Sequence, residues 1–112
     1  MKITDIITKL DLKVISGANG LSNEITDGYV SDLLSDVMGN AKEGQAWITL
    51  QTHQNIIAVA ALKDLPAIII VKGYLPDADT IEKSNAENIP VLSSELDTFT
   101  LAGRLFELIK ME

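Results

Sequence analysis

Apolar positions change rhythm along this chain. From Lys2 to Leu10 they fall at Ile3, Ile6, Ile7 and Leu10, the spacing of a short amphipathic helix. Leu12 to Ile15 then alternates as a strand does, and Gly17-Ala18-Asn19-Gly20 reads as a turn whose two glycines tolerate positive φ. Glu24 to Val30 predicts a second strand, interrupted at Gly28. Ser31 is placed to cap a helix that starts at Asp32, holds Leu33, Leu34, Val37 and Met38, and stops at Gly39-Asn40. Asp32 in its first turn would meet the positive end of the helix dipole.

Beyond Glu43-Gly44 the pattern becomes regular. A strand over Ala46–Leu50 leads to a helix over Gln54–Lys63, a strand over Ala67–Val71, a helix over Asp77–Glu87, a strand over Val91–Leu92 and a last helix over Asp97–Lys110. Strand and helix alternating in this way make two successive right-handed βαβ units. The predicted fold is α/β: a three-layer domain, residues 1–112, with a mainly parallel sheet. The first 40 or so residues are less periodic and richer in Gly, Asn and Asp. They are expected to pack on that sheet as a lobe, their strands forming a small sheet or an edge.

Composition agrees with a buried parallel sheet. Hydrophobic residues make up 46% of the chain and aromatic ones only 4%, so the core must be Ile, Val, Leu and Ala. The formal net charge is −7, from 16 acidic and 9 basic residues, and no two basic residues are adjacent. A polyanion needs a basic patch to release its counterions, so neither nucleic acid nor an anionic membrane is an expected partner. No cysteine is present, which removes disulfides and thiol chemistry and suits the cytoplasm. The longest apolar run, Ile56 to Leu62, is far short of the roughly 20 residues of a membrane span.

Ligands of open α/β sheets bind beyond the carboxyl ends of the strands. The residues predicted there are Gln51, Thr52, His53 and Asn55 after the first regular strand, Lys72 and Gly73 after the second, and Ser93 and Ser94 after the third. Thr52 or His53 would cap the helix that follows, leaving its N–H groups open to a phosphate or carboxylate. Lys72 would approach the same anion, and Ser93-Ser94 would supply hydroxyls. Asp32 and Asp36, four residues apart, would share a helix face, but two carboxylates are too few oxygens for a hard cation, and no metal or cofactor is expected. No phosphate-binding loop, dinucleotide fingerprint or nucleophile elbow occurs, and one histidine without a cysteine leaves nucleophilic triads incomplete.

Three strings carry a resemblance. They are G-x-x-S-D-L-L-S from Gly28, W-I-T-x-Q-T-H-x-N from Trp47, and I-I-x-x-G-x-x-P ending at Pro76; NIPVLSSELDTFTLAGRLFEL continues the likeness. From about Leu12 to Leu108 the chain resembles the DRTGG domain family, which is similar to the N-terminal domain of HPr kinase/phosphorylase. Where the family's name-giving letters stand, Asn23 to Gly28 reads NEITDG. The resemblance implies an accessory α/β domain, of the kind attached to phosphotransacetylases and set between paired CBS domains of some pyrophosphatases. There it is a dimerising regulatory element near an adenine-nucleotide site. It does not imply kinase activity, because the phosphate-binding loop of that kinase lies in its other domain. Stand-alone members accompany iron-hydrogenase and other redox genes, which suggests a protein partner in redox or energy metabolism.

The expectation is therefore a non-enzymatic regulatory or interaction domain, homodimeric, sensing a small anion such as an adenine nucleotide. The alternative is a small enzyme using His53 as acid or base. The apolar helix around Ile56–Leu62 is expected to pack centrally against the sheet, or to form a subunit interface where Ala58, Ala60 and Ala61 allow close approach.

Overall fold

The uninterrupted Ile and Val runs form the middle of the sheet, where both faces are covered. The computed structural model describes residues 1–110. In chain order the elements are α1 (Ile3–Leu10), β1 (Lys13–Ser16), β2 (Asp27–Val30), α2 (Leu34–Asn40), β3 (Gln45–Thr49), α3 (Asn55–Leu62), β4 (Ile68–Ile70), α4 (Ala78–Glu87), β5 (Val91–Ser93) and α5 (Thr98–Lys110), with a 3₁₀ turn at Ala18–Gly20. One five-stranded sheet has the order β1-β5-β4-β3-β2. Strands β2 to β5 are parallel, and β1 runs antiparallel to β5. The fold is the predicted α/β architecture with a mainly parallel sheet.

Alternate residues of each strand feed opposite layers, as the two-residue period of a strand requires. On one side Ile48, Ile69 and Leu92 pack with Ile3 and Ile6 of α1 and Leu101 and Leu105 of α5. On the other, Trp47, Ile68, Ile70 and Val91 pack with Val37 of α2 and Ile56, Ile57 and Ala60 of α3. Ile68, Ile69 and Ile70 are fully buried, which is why this strand could show no alternation in the sequence. No helix among the described residues is long and apolar enough to cross a membrane.

Three local expectations change. The early strands are not a lobe of their own but take the edge positions that were one of the two expected forms: β1 and β2 are the two opposite edges of the one sheet, and β2-α2-β3 makes a third parallel crossover. Helix α2 starts at Leu34 rather than Asp32, with no side-chain cap; Ser31 Oγ accepts the Leu33 N–H instead, at 3.1 Å. Asp32 and Asp36 therefore share no helix face. Of the two turn glycines only Gly17 has positive φ, at 73°. Gly20 is required by close approach, since a Cβ there would lie 2.3 Å from the Asn88 carbonyl oxygen.

Helix α4 is mostly polar, so hydrogen bonds replace part of its missing apolar face. Ser84 Oγ donates to the Ile89 carbonyl at 2.6 Å and accepts from Ser16 Oγ at 2.9 Å, and the Gly17 N–H donates to Asn85 Oδ1 at 2.8 Å. Ser16 and Ser84 are both buried, so this network ties edge strand β1 to α4 in a place where an unmatched hydroxyl would be costly.

Candidate functional site at the carboxyl edge of the sheet

Parallel pairing brings the strand ends level. Thr49 of β3 pairs with Ile70 of β4, and Ile70 pairs with Ser93 of β5. Gln51-Thr52-His53, Lys72-Gly73 and Ser93-Ser94 thus leave the sheet side by side along one edge. Helices α2 and α3 pack on the same face, and strands β2 to β5 follow one another without reversal. There is no point where the strand order turns back, so the edge lacks the deep crevice that such a reversal opens in doubly wound sheets.

The most distinctive string of the chain is largely committed to structure. Trp47 is fully buried, and its Nε1–H donates to the Ser31 carbonyl at 2.8 Å. Asp32 Oδ1 accepts from Thr49 Oγ1 and from the Leu50 N–H, both at 2.8 Å. Gln51 Nε2 donates to the Asp32 carbonyl at 2.7 Å, and its backbone N–H donates to Thr49 Oγ1 at 3.1 Å. Ser31-Asp32 and Trp47–Gln51 therefore latch the end of β2 to the end of β3. Asp32 is the residue whose role the sequence concealed; a threonine as the last residue of an otherwise apolar strand was the available signal.

The start of α3 differs from the expected open anion cradle. Its N-cap residue is Gln54, with no side-chain cap bond. The Asn55 N–H donates to His53 Nδ1, the Ile56 N–H to the His53 carbonyl and the Ile57 N–H to the Gln54 carbonyl, all at 3.0–3.1 Å. First-turn amides that would face an anion are thus engaged internally. With Nδ1 accepting, the neutral ring carries its proton on Nε2, and the exposed His53 presents that N–H outward. No carboxylate can orient the ring through Nδ1 while Asn55 occupies it. The Thr52 carbonyl accepts from Thr80 Oγ1 at 2.7 Å and from the Asp77 N–H at 3.1 Å, fixing this loop to the start of α4.

Lys72 and Gly73 turn sharply, with φ of 61° and 71°. Their N–H groups donate to the Leu96 and Ser94 carbonyls at 2.9 and 2.8 Å. A Cβ on Gly73 would lie 2.7 Å from Glu95 Oε2, so glycine leaves room for that carboxylate. Ser94 Oγ accepts the Leu96 N–H at 3.1 Å. Asp97, rather than a serine, serves the last helix: Oδ1 accepts the Thr100 N–H at 2.8 Å. That backbone bond, then the Thr100 hydroxyl and the Lys72 charge, hold the Asp97 carboxyl below its ordinary value.

Of the eight predicted residues, Gly73 and Ser93 line one cleft of about 450 Å³, together with Asp11, Lys13, Leu75 and Glu95. Gln51, Thr52, His53, Asn55, Lys72 and Ser94 lie along the same edge but do not line it. A separate cleft of about 630 Å³ opens at the amino ends of the strands, among Glu24, Glu43, Asp64, Pro66 and Glu87. Among the described residues, no group of three or more acidic, histidine or cysteine side chains is arranged to hold a metal ion.

The model of the DRTGG domain matches residues 5–108. No curated protein matches the chain. Among solved structures, the CBS and DRTGG domains of the regulatory region of Clostridium perfringens pyrophosphatase, complexed with the activator diadenosine tetraphosphate, align with a TM-score of 0.69 at 21% identity. The alignment covers 93% of this chain and 45% of that one, so this chain spans less than half of its neighbour. At that identity the likeness speaks for the fold alone. The fold, the level strand ends and a match over nearly the whole length lead to one statement: the chain belongs to the DRTGG domain family.

Proposed function

We propose that this protein is a non-enzymatic, cytoplasmic regulatory domain that works as a homodimer and senses a small anionic ligand of the adenine-nucleotide class. The observation that supports the reading is that β3, β4 and β5 end level, so that the loops carrying His53 and Lys72 leave the sheet on the same edge as Ser93. The His53 Nε2–H and the exposed Lys72 ammonium are the donors an anion would meet there. Ser93 adds a hydroxyl at the cleft shared with Gly73. The activator named in the neighbour's complex is a dinucleotide, which supports the choice of ligand class. Family membership supports a regulatory role, since that neighbour belongs to a regulatory region.

The net charge of −7 opposes a bare polyphosphate, so magnesium should improve binding by reducing the charge of the ligand. The test is thermal melting against adenine mono-, di- and dinucleotides, with and without magnesium. A ligand at 100 times its Kd adds about 2.7 kcal/mol, a shift of several degrees. The expected result is a selective rise that disappears in Lys72→Ala and in His53→Ala. No rise with any nucleotide would remove the sensing half of the reading and leave a protein-interaction domain.

A further inference from the structure

Among the described residues the buried polar side chains are Ser16, Thr49, Thr80, Ser84, Ser93 and Ser94. Five of them are bonded: Ser16 to Ser84, Ser84 to the Ile89 carbonyl, Thr49 to Asp32, Thr80 to the Thr52 carbonyl, and Ser94 to the Leu96 N–H. Ser93 is the exception. It is 7% exposed, and its hydroxyl meets no partner among the described residues. Buried polar groups are nearly always bonded, because an unmatched one is costly. No side-chain oxygen or nitrogen sealed from solvent lacks a partner, so the Ser93 hydroxyl keeps an outlet. That outlet is the cleft of about 450 Å³ that Ser93 lines.

The sheet register sets what stands beside it. Lys13 of the antiparallel edge strand β1 is the direct cross-strand partner of Ser93, so both side chains project from one face of the sheet. Lys13 is exposed and forms no ion pair among the described residues. Asp11 and Glu95 line the same cleft, and they too are unpaired there. Leu75, from the loop that leads to α4, is 60% exposed and adds an apolar wall. None of the described residues lining the cleft is aromatic.

We infer that this cleft seats a sugar-phosphate unit, with the phosphate held by the Lys13 ammonium and the Ser93 hydroxyl and the sugar hydroxyls donating to Asp11 and Glu95. The inference rests on the anionic-ligand reading above and narrows it: the cleft recognises ribose and phosphate rather than the base. Directly opposite residues of an antiparallel pair have Cβ atoms about 5 Å apart, so one ammonium and one hydroxyl can reach the same anionic group. A bare phosphate would also face two carboxylates that repel it. Hydroxyls next to the phosphate turn those carboxylates into hydrogen-bond acceptors. A base would find no ring to stack on, whereas Leu75 can cover the carbon skeleton of a sugar. Ribose phosphate arrives either within a nucleotide or as a free sugar phosphate, and the experiment separates the two.

Amide NMR titration of the full chain tests this, with ribose-5-phosphate, AMP, adenosine and inorganic phosphate as probes, in wild type, Lys13→Ala and Ser93→Ala. Saturable shifts at residues 11–13, 73 and 93–95 are expected with ribose-5-phosphate and with AMP, and none with adenosine or inorganic phosphate. Tighter binding of AMP would point to a nucleotide as the source, and equal binding to the free sugar phosphate. Each substitution should weaken both ligands about tenfold, the worth of one hydrogen bond to a charged group. Ser93→Ala should melt as wild type does, because the lost hydroxyl leaves no partner behind. AMP binding that survives both substitutions overturns this cleft and leaves the nucleotide reading standing. Ribose-5-phosphate binding that depends on Lys13 and Ser93, without any response to AMP, supports the cleft and removes the nucleotide. Equal shifts with inorganic phosphate would overturn the sugar-phosphate assignment, and no shift with any probe removes both readings.

Discussion

At the carboxyl end of the sheet, Asp32, Thr49 and Gln51 direct their polar atoms at one another, and the loops they belong to are held by named bonds. At the amino end, Glu43, Asp64 and Glu87 face a common cleft with no lysine, arginine or histidine in its lining. Glu24, on the same cleft, meets the N-terminal ammonium group at 3.2 Å. The amino-end cleft is the roomier of the two, yet the side chains able to meet an anion stand at the other end. Cavity size and the supply of outward hydrogen-bond donors therefore point to different ends. What distinguishes the carboxyl end is rigid backbone carrying a few outward donors, whereas the amino end carries dispersed, solvated charge.

The largest effect expected from this contrast is at Asp32. Asp32→Ala leaves the Leu50 N–H and the buried Thr49 hydroxyl without their acceptor. Hydrogen bonds to a charged group are worth roughly 1.5–3 kcal/mol each, and the Leu50 amide lies near solvent, so urea unfolding should show a loss near the lower end for two such bonds, about 3 kcal/mol in all. At the amino end the double variant Asp64→Asn, Glu87→Gln should stay within about 0.5 kcal/mol of wild type, as exposed positions usually do. Asn is also suited to position 64, where φ is 55°. A comparable loss at both ends would abolish the distinction.

The smallest effect is in acid. Asp97 is held below its ordinary value of 3.8 chiefly by the Thr100 N–H, and Asp36 chiefly by the Tyr29 hydroxyl, which donates at 2.8 Å. A depressed folded value means that each carboxylate stabilises the fold above 3.8 and that this contribution is lost as the pH falls through the depressed value. Melting temperature should therefore be level near neutral pH and fall below about pH 4. Asp97→Asn should make that fall shallower, and an unchanged profile would show that the helix-start bond carries no linkage.

The regular half of the chain was legible because its strands are buried on both faces and its helices are bounded by ordinary stop signals. Predicted and observed elements from Gln45 onward differ only at their ends, as boundaries do. The first 40 residues were harder. Gly28 looked like a break although β2 runs through it in unbroken pairing with β3, and Asp32 looked like a cap although its carboxylate turns to β3. Both facts depend on residues 17 or more positions away. Within the candidate site, position was legible and engagement was not: the sequence put His53 at a helix start, but only the assembled loop shows the Asn55 amide on Nδ1.

By itself, then, the sequence determined the fold class, the two successive βαβ units after Gly44 and the edge on which polar residues collect. These follow from periodicity and from the right-handed crossover, which are local or nearly local. Tertiary structure decided which of those polar groups are already bonded, and that Ser93, without a partner among the described residues, stands beside Lys13 of the neighbouring strand. Such properties depend on what approaches each group in space, and hydrogen-bond partners and solvent exposure are set by neighbours that the order of residues along the chain does not name.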